Sequence, residues 1–329
     1  MSALRHACWG LWLFLFFFGN EIQAQVITET FGTGSDPISI DFVSIGNPGN
    51  SSDPNGFAYW KGRNPGSVNY EYAIGKYEIT RSDIEKANLQ GNLGLTLYEL
   101  RYETWGGGKK PATGISWNEA ARFVNFLNTS KGFSPAYKFT ETGPNVSISL
   151  WTPDDIGYNQ LNPFRNQFSK YVLPDIDEWH KAAFFNPASA AYNTYANVEN
   201  SLPSPITGGL SGVVYGQPND FDHGPADVDY AGILSPFGTM AQTGNAFEWL
   251  ETSYDLPNDD PHKTRMMRGG SWVDGGGWVL SNTGGAYLAP DAEYFQVGFR
   301  VASVPEPSSF FLALFATSLT LLYPRRRKT

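Results

Sequence analysis

Residues Met267 to Arg300 read MRGGSWVDGGGWVLSNTGGAYLAPDAEYFQVGFR, and this stretch sets the architecture of the chain. A regular helix does not suit it, because glycine loses the most backbone entropy on folding and is used where φ is positive or where backbones come close. Large aromatic side chains punctuate the loops and can anchor them in a core. They are Trp272, Trp278, Tyr287, Tyr294 and Phe295. We therefore predict a domain built from loops that aromatic residues hold in place.

Four further blocks precede this stretch. They are GKYEIT at 75–80, a Ser116-Trp117 pair that opens a helical pattern, LPDIDEWHKAA at 173–183 and GNAFEW at 244–249. Their order, followed by RGGSW and GFR, resembles the formylglycine-generating enzyme (sulfatase-modifying factor) family over Tyr72 to Val301. The resemblance implies an α+β, C-type-lectin-like formylglycine-generating-enzyme fold with little regular secondary structure, in which two calcium ions hold long loops.

Local patterns predict three helices and several short strands. Capping boxes, in which a side chain accepts from the N–H three residues on, mark the helix starts. They are Thr80 with Asp83, Ser116 with Glu119, and Asp175 with Glu178. Alternation predicts a strand over Ile38 to Val43, and the segment from Lys138 to Tyr171 is expected to form strands and a lid-like loop. Ala188 to Ser235 shows no helical period.

Both ends of the chain carry export signals. Residues 1–24 have a basic start, a short apolar run and Ala24 at the end, which is typical of a cleaved signal peptide. Residues 304–329 combine Pro-Glu-Pro, an apolar run and four cations, and resemble the PEP-CTERM sorting segment of Gram-negative bacteria. In that family an exosortase recognises and cuts the segment, and the hosts typically make exopolysaccharide. We expect an exported protein, membrane-anchored through the C-terminal segment before processing and then at the cell surface, outer membrane or matrix; a simple tail anchor is the alternative.

Between these ends we expect a strand and loop extension at 25–70 and the main domain at 71–303. Five of the 23 basic residues and two of the 32 acidic residues lie in the end segments, so residues 25–304 keep a net charge of −12. An acidic surface repels phosphate backbones, which argues against nucleic acid as a partner. The single cysteine, Cys8, lies in the signal peptide, so the exported chain is expected to carry no thiol.

The resemblance places the family's catalytic positions just after Gly-Gly-Ser. Members that make formylglycine use two cysteines there, five residues apart, to bind copper as thiolates. This chain has Asp274 and Val279 at those positions and retains the motif serine as Ser271. A carboxylate and an alkyl group cannot make a Cu(I)–thiolate site, so copper and formylglycine formation are not expected here.

The resemblance also implies two calcium sites. The first falls on Asn197 and the Val198 carbonyl with Asp220 and Asp222, and the second on Ser235 with the carbonyls of Gly238, Met240 and Gln242. Calcium takes six to eight oxygen ligands, often from such loops. The alternative is that these residues simply form turns. The loop at 47–55 has the same two interpretations, a cation site or ordinary turn chemistry.

Three hypotheses for function follow. The favoured one is a non-catalytic surface protein that binds a glycan or a protein, with Trp278 and Tyr287 exposed for stacking on sugars. The second is an enzyme of altered chemistry, which requires Ser271, Asp274 and a histidine to converge in one pocket. The third is a spacer or matrix component. We further expect His180 on the surface of its helix, and Glu248 and Arg300 as a buried charged pair.

Overall fold

The computed structural model describes residues 25–57, 62–98, 107–142, 145–218, 223–255, 257–280, 283 and 285–305. Three helices are present in this part of the chain: α1 (Arg81–Gly91), α2 (Trp117–Ser130) and α3 (Ile176–Phe184). The strands are β1 (Val26–Phe31), β2 (Ile38–Ile45), β3 (Tyr72–Gly75), β4 (Lys138–Thr142), β5 (Asn145–Ser149), β6 (Tyr171–Val172), β7 (Phe185–Asn186), β8 (Ala191–Tyr192), β9 (Phe247–Ser253), β10 (Arg265–Arg268), β11 (Ala286–Leu288), β12 (Val297–Gly298) and β13 (Ala302–Ser303).

The helices begin where the sequence predicts. Thr80, Ser116 and Asp175 each accept a hydrogen bond from the backbone N–H three residues on. The acidic side chain at that position in turn accepts a hydrogen bond from the backbone N–H of the capping residue. Two backbone donors that a helix N-terminus leaves unpaired are thereby satisfied at each start. The strand prediction at Ile38 to Val43 is confirmed as part of β2, and 138–171 contains the β4–β5 hairpin followed by loops.

Two sheets organise the domain. One has the order β1-β2-β3-β13-β6 and the other the order β11-β10-β9-β12. The N-terminal strands belong to the first sheet, since β2 pairs with β3 through Val43 and Ile74, while β13 from the far end of the chain pairs with β3 through Ala302 and Ile74. The remaining strands form two hairpins, β4-β5 and β7-β8. The α+β class with little regular secondary structure is confirmed.

Tryptophans hold the loops and helices to one core, as the sequence predicts. Trp117, Trp179, Trp249 and Trp272 are fully buried. Trp117 donates to the Leu250 carbonyl at 2.9 Å, and Trp249 donates to the Ile115 carbonyl at 2.8 Å. These two reciprocal bonds join the start of α2 to β9. Each indole thus supplies both apolar area and one fixed polar contact.

The helices of the described part are all too short or too polar to cross a bilayer. The predicted signal peptide at 1–24 and nearly all of the predicted sorting segment at 304–329 lie outside the described residues.

The buried charged pair predicted for Glu248 and Arg300 is confirmed. Arg300 donates to Glu248 through Nε at 2.6 Å and through Nη2 at 2.5 Å, and both side chains are fully buried. Trp179 adds a third donor to the same carboxylate at 2.6 Å. A carboxylate with three donors in a closed interior is stable only while its cation stays in place.

Replacing Arg300 by Met should therefore destabilise the fold strongly. We expect a loss of about 3–5 kcal/mol in the free energy of unfolding, because Glu248 would stay buried without its partner. Urea denaturation measures it. The matched control is Lys109→Met, which removes the exposed Lys109–Asp229 pair (2.6 Å) and should cost less than about 1 kcal/mol. Equal losses in the two variants would show that the buried pair has no special role.

Candidate functional site

The segment that carries the family's catalytic positions forms a closed turn. The Ser271 hydroxyl donates to the Asp274 carboxylate, and the Ser271 backbone N–H donates to the same carboxylate oxygen at 2.9 Å. Gln296 donates to the Ser271 hydroxyl oxygen at 2.9 Å. Val279 is buried at the end of a short 3-10 turn, Gly276–Val279. The carboxylate that stands in the first cysteine position thus caps its own turn.

Besides Asp274, the side chain that bonds the Ser271 hydroxyl is the amide of Gln296 and not a histidine. The hydroxyl therefore donates to a carboxylate and accepts from Gln296, which holds it in a structural arrangement. Ser271 and Asp274 do come together, as the enzyme hypothesis requires. His180 lies elsewhere and contacts Asp53.

The expectation that His180 lies on the surface is wrong. Its side chain is fully buried, with Nε2 at 2.9 Å from Asp53 Oδ2 and its ring against Phe184 and Tyr192. The physical reason is that α3 is covered on two sides, so that all nine of its residues are buried. Residues Asn47, Asp53 and Gly66, from loops that precede α3 in the chain, cover the side that the sequence pattern assigned to solvent.

Burial lowers the pKa of His180 to about 4, and the nearby Arg268 guanidinium acts in the same direction. The Asp53 hydrogen bond opposes this shift without cancelling it. The imidazole is therefore neutral at neutral pH. The same helix presents Lys181, whose ammonium donates to the Asn47 carbonyl at 2.9 Å and whose pKa burial lowers to about 8.

The first predicted calcium set is only partly described. Asn197 is buried and closes a small loop, because its amide donates to the Ser201 carbonyl at 2.8 Å and its side-chain oxygen accepts from the Ser201 N–H at 3.2 Å. Val198 beside it is exposed. Asp220 and Asp222 lie outside the described residues, so this site stays a prediction.

The second predicted set is connected by hydrogen bonds to the end of α3. The Ser235 hydroxyl donates to the Ala182 carbonyl at 3.1 Å and lies 2.7 Å from the Thr239 hydroxyl. Thr239 in turn donates to Gln242, whose amide donates to the Trp179 carbonyl at 3.0 Å. Through this chain of hydroxyl and amide groups, the side-chain oxygens of Ser235, Thr239 and Gln242 each have a hydrogen-bond partner.

One further contact bears on that second set. The Met240 carbonyl, a predicted calcium ligand, accepts from Arg300 Nη2 at 2.8 Å, and the Gly238 N–H donates to the Ser235 carbonyl at 2.8 Å. A guanidinium beside a ligand oxygen opposes a divalent cation by direct repulsion. The second set thus forms a hydrogen-bonded loop, and calcium binding there stays a prediction. Elsewhere in the described ranges, no three His, Cys, Asp or Glu side chains gather as metal ligands.

The two predicted ligand-binding aromatics differ in exposure. Trp278 is half-buried and packs edge-to-face on Phe247 with ring centroids 5.3 Å apart. It also covers Gly270, where an added Cβ would meet the Trp278 side chain at 2.7 Å. Trp278 is thus mainly a core anchor. Tyr287 is 49% exposed, as predicted.

Tyr287 has a partner that the sequence did not reveal. The ring of Tyr254, 40% exposed, lies 4.1 Å from the Tyr287 ring at an interplanar angle of 30°. Tyr254 follows β9 and Tyr287 lies on β11, and the two meet beside β10, which separates those strands. An acidic turn with Asp255, Asp259 and Asp260 comes next in the chain. We call Tyr254 and Tyr287 the tyrosine pair.

A family model described as "Sulfatase-modifying factor enzyme 1-like domain" matches residues 64–304. The chain belongs to this family. The match spans most of the described domain and includes Ser271, Asp274 and the Glu248–Arg300 pair. A search of curated proteins finds no match for this sulfatase-modifying-factor-like domain.

Solved structures share its fold. Treponema denticola variable protein 1 is 19% identical, with a TM-score of 0.57 over 85% of this chain and 99% of the other. CarF is 18% identical, with a TM-score of 0.57 over 81% of this chain and 99% of the other. PvdO from Pseudomonas aeruginosa is 15% identical, with a TM-score of 0.51 over 85% and 92%. Identities this low support the fold of the domain alone.

The buried histidine of this sulfatase-modifying-factor-like domain should make its stability depend on pH. The pKa of His180 is about 4 in the folded state and near 6.5 when unfolded, so between these values the unfolded chain binds more protons. The free energy of unfolding therefore does not depend on His180 titration above pH 6.5, and it decreases as the pH falls towards 4. We expect His180 to account for a loss of about 3 kcal/mol across that window.

Urea denaturation of His180→Gln and of the exposed-site control His262→Gln, at pH 7 and pH 4.5, measures this contribution. The His180 variant should lose less stability on acidification than the unchanged chain does, whereas the control should lose the same amount. An unchanged acid sensitivity in His180→Gln would show that the buried imidazole is not the titrating group.

Proposed function

We propose that this chain is an exported, non-catalytic member of its family that binds glycan at the cell surface or in the extracellular matrix. The signal peptide pattern at 1–24 and the sorting-segment pattern at 304–329 support export, anchoring and processing by an exosortase-type enzyme. A protein ligand is compatible with the same surface. The tyrosine pair favours glycan as the ligand.

The chemistry at the former cysteine positions supports the non-catalytic part of the proposal. Asp274 offers a carboxylate that already accepts from Ser271, and Val279 offers a buried alkyl group. Soft Cu(I) selects thiolates and has no comparable affinity for these groups. The retained serine is held between a carboxylate and an amide. These contacts do not favour the alternative of an enzyme with altered chemistry.

The observation that carries the glycan proposal is the tyrosine pair. Tyr287 is 49% exposed and Tyr254 is 40% exposed, and the centroids of their rings are 4.1 Å apart. Exposed aromatic faces supply broad apolar contact with little conformational entropy to lose. A pyranose ring has an apolar face of C–H groups and a rim of hydroxyls, which suits such rings beside the acceptors of an acidic turn. The acidic domain further favours neutral sugars over anionic ones.

The test is affinity electrophoresis of the full chain in gels that contain dextran, laminarin or galactomannan. At least one neutral polymer should retard the protein, and the Tyr254→Ala/Tyr287→Ala double variant should bind it at least about tenfold more weakly, as expected for the loss of about 1.4 kcal/mol of contact.

The matched control is Tyr230→Ala, which removes a 54% exposed tyrosine from another part of the surface and should leave retardation unchanged. Retardation of the double variant equal to that of the unchanged chain would remove the tyrosine pair from the function. Oxidation of a sulfatase-derived cysteine peptide to its aldehyde by the purified chain would contradict the non-catalytic proposal directly.

We also propose a structural calcium ion at the first predicted set, with Asn197, the Val198 carbonyl, Asp220 and Asp222 as ligands. Support comes from the resemblance and from the oxygen-bearing groups at these positions, which are of the type that calcium binds. Copper is not proposed. Chelator should lower the melting temperature of the unchanged chain, and added calcium should restore it.

The variants Asp220→Asn/Asp222→Asn and Ser235→Ala separate the two sets. The first should lose its response to calcium, whereas Ser235→Ala should keep it, because the second set is hydrogen-bonded. A calcium response that vanishes with Ser235→Ala and survives the double Asp variant would reverse this assignment.

A further inference from the structure

A depression of about 450 Å³ lies between residues 47–55 and the β7–β8 hairpin. Residues 47–55 form one wall, and Phe185, Ala190, Ala191 and Tyr192 form the other. We call it the 47–55 pocket. Its volume falls in the range of sites that hold small ligands. It includes neither the tyrosine pair nor the Ser271 turn.

The loop that forms the first wall is pinned at three points. Lys181 Nζ donates to the Asn47 carbonyl at 2.9 Å. Asn50 donates to the Tyr192 hydroxyl at 2.8 Å and to the Gly66 carbonyl at 2.7 Å. Asp53 Oδ2 lies 2.9 Å from His180 Nε2. A loop without helix or strand is thus held in one shape from its first residue to its seventh.

Holding the loop in this way uses buried polar groups. His180, Lys181 and Asp53 are almost fully buried, and polar groups are taken out of water at a cost unless they find partners. The loop does not need them to attach the N-terminal strands, since β2 already pairs with β3 over four residue pairs. The contacts instead fix the wall of the pocket. A preorganised wall lowers the entropy that a ligand's binding would cost.

The lining combines hydroxyl and amide groups with small apolar surfaces. The side chains of Ser51, Ser52 and Asn55 accept or donate no hydrogen bond within the described part of the chain, so their polar atoms are available to a ligand. Pro48, Pro54 and the two alanines add apolar contact.

The ionisable groups of the lining are already engaged. Asp53 binds His180 and the Asn55 N–H, and the Tyr192 hydroxyl binds Gly66 and Asn50. The lining residues that the structure describes therefore offer no free cation for an anionic ligand and no free carboxylate for a cation. What it offers is neutral hydrogen bonding beside apolar patches, which is the chemistry that a neutral sugar ring requires.

We propose that the 47–55 pocket binds one neutral pyranose unit, with Ser51, Ser52 and Asn55 bonding its hydroxyls and the hairpin wall contacting its C–H groups. The site is separate from the tyrosine pair and does not depend on the function proposed above. A terminal or branch sugar of a larger glycan is a suitable source, as is a free monosaccharide.

Saturation-transfer NMR of the full chain with methyl α-D-glucopyranoside, methyl α-D-mannopyranoside and methyl β-D-galactopyranoside tests the proposal. At least one glycoside should show transfer, with a dissociation constant on the order of 1 mM, as expected for a single small ligand. Methyl α-D-glucuronoside, the anionic counterpart of the α-glucoside, should bind more weakly than the α-glucoside. Equal or tighter binding of the glucuronoside would overturn the assignment to neutral sugars.

Two tryptophan substitutions on the same hairpin provide the matched comparison. Ala191 is exposed and lines the pocket, so Ala191→Trp should fill it and weaken glycoside binding at least tenfold. Ala188 is exposed and outside the lining, so Ala188→Trp should leave binding unchanged. Asn55→Ala, a smaller change on the other wall, should weaken binding several-fold. Glycoside binding that survives both Ala191→Trp and Asn55→Ala, or no transfer to any neutral glycoside, would overturn the proposal.

The same variants keep this site distinct from the tyrosine pair. Ala191→Trp should still be retarded by the neutral polymer, and the Tyr254→Ala/Tyr287→Ala variant should still bind the glycoside. If the double tyrosine variant lost the glycoside while Ala191→Trp kept it, the sugar would be bound at the tyrosine pair and the pocket proposal would fall.

Discussion

The fold depends on one buried carboxylate. Glu248 accepts from Arg300 and from Trp179, so a single side chain holds the strand β9, the helix α3 and the last part of the domain together. A second carboxylate, Glu78, lies close by and accepts from the Asn245 amide at 2.6 Å. Burial and the neighbouring Glu248 raise the pKa of Glu78. Four sequence blocks that are far apart in the chain meet in this small polar region, and each supplies a hydrogen-bond partner for a residue of another block.

This arrangement explains why the domain tolerates so little regular secondary structure. Loops lose conformational entropy on folding without the repeating hydrogen bonds that helices and sheets provide. Here specific side chains replace those bonds, as Asn245 does at a positive φ of 61° when it accepts from the Ala226 N–H at 2.8 Å. Buried tryptophans supply the apolar area around such contacts. Removing one partner should therefore affect several loops together.

The sequence predicts well what is decided locally. Capping boxes and an apolar stripe give the starts of all three helices, because both act within a few residues. The Glu248–Arg300 pair was accessible through the motif blocks in which it occurs. The burial of His180 was not, since the second cover of α3 comes from residues more than a hundred positions earlier. The tyrosine pair was also hidden, because Tyr254 and Tyr287 meet only through the order of β9, β10 and β11. The hydrogen bonds of Ser235, which join it to α3, depend on the same kind of distant contact.

The position of β13 has a consequence for the order in which the protein can be completed. This two-residue strand lies between β3 and β6, inside a sheet whose other members come from the first 172 residues. Until residue 303 has left the ribosome, β3 and β6 have open edges and Arg300 is not yet in place. A nascent domain with open edges is exposed to wrong pairing. The emergence of β13, rather than any early folding step, therefore determines when the native state first becomes possible.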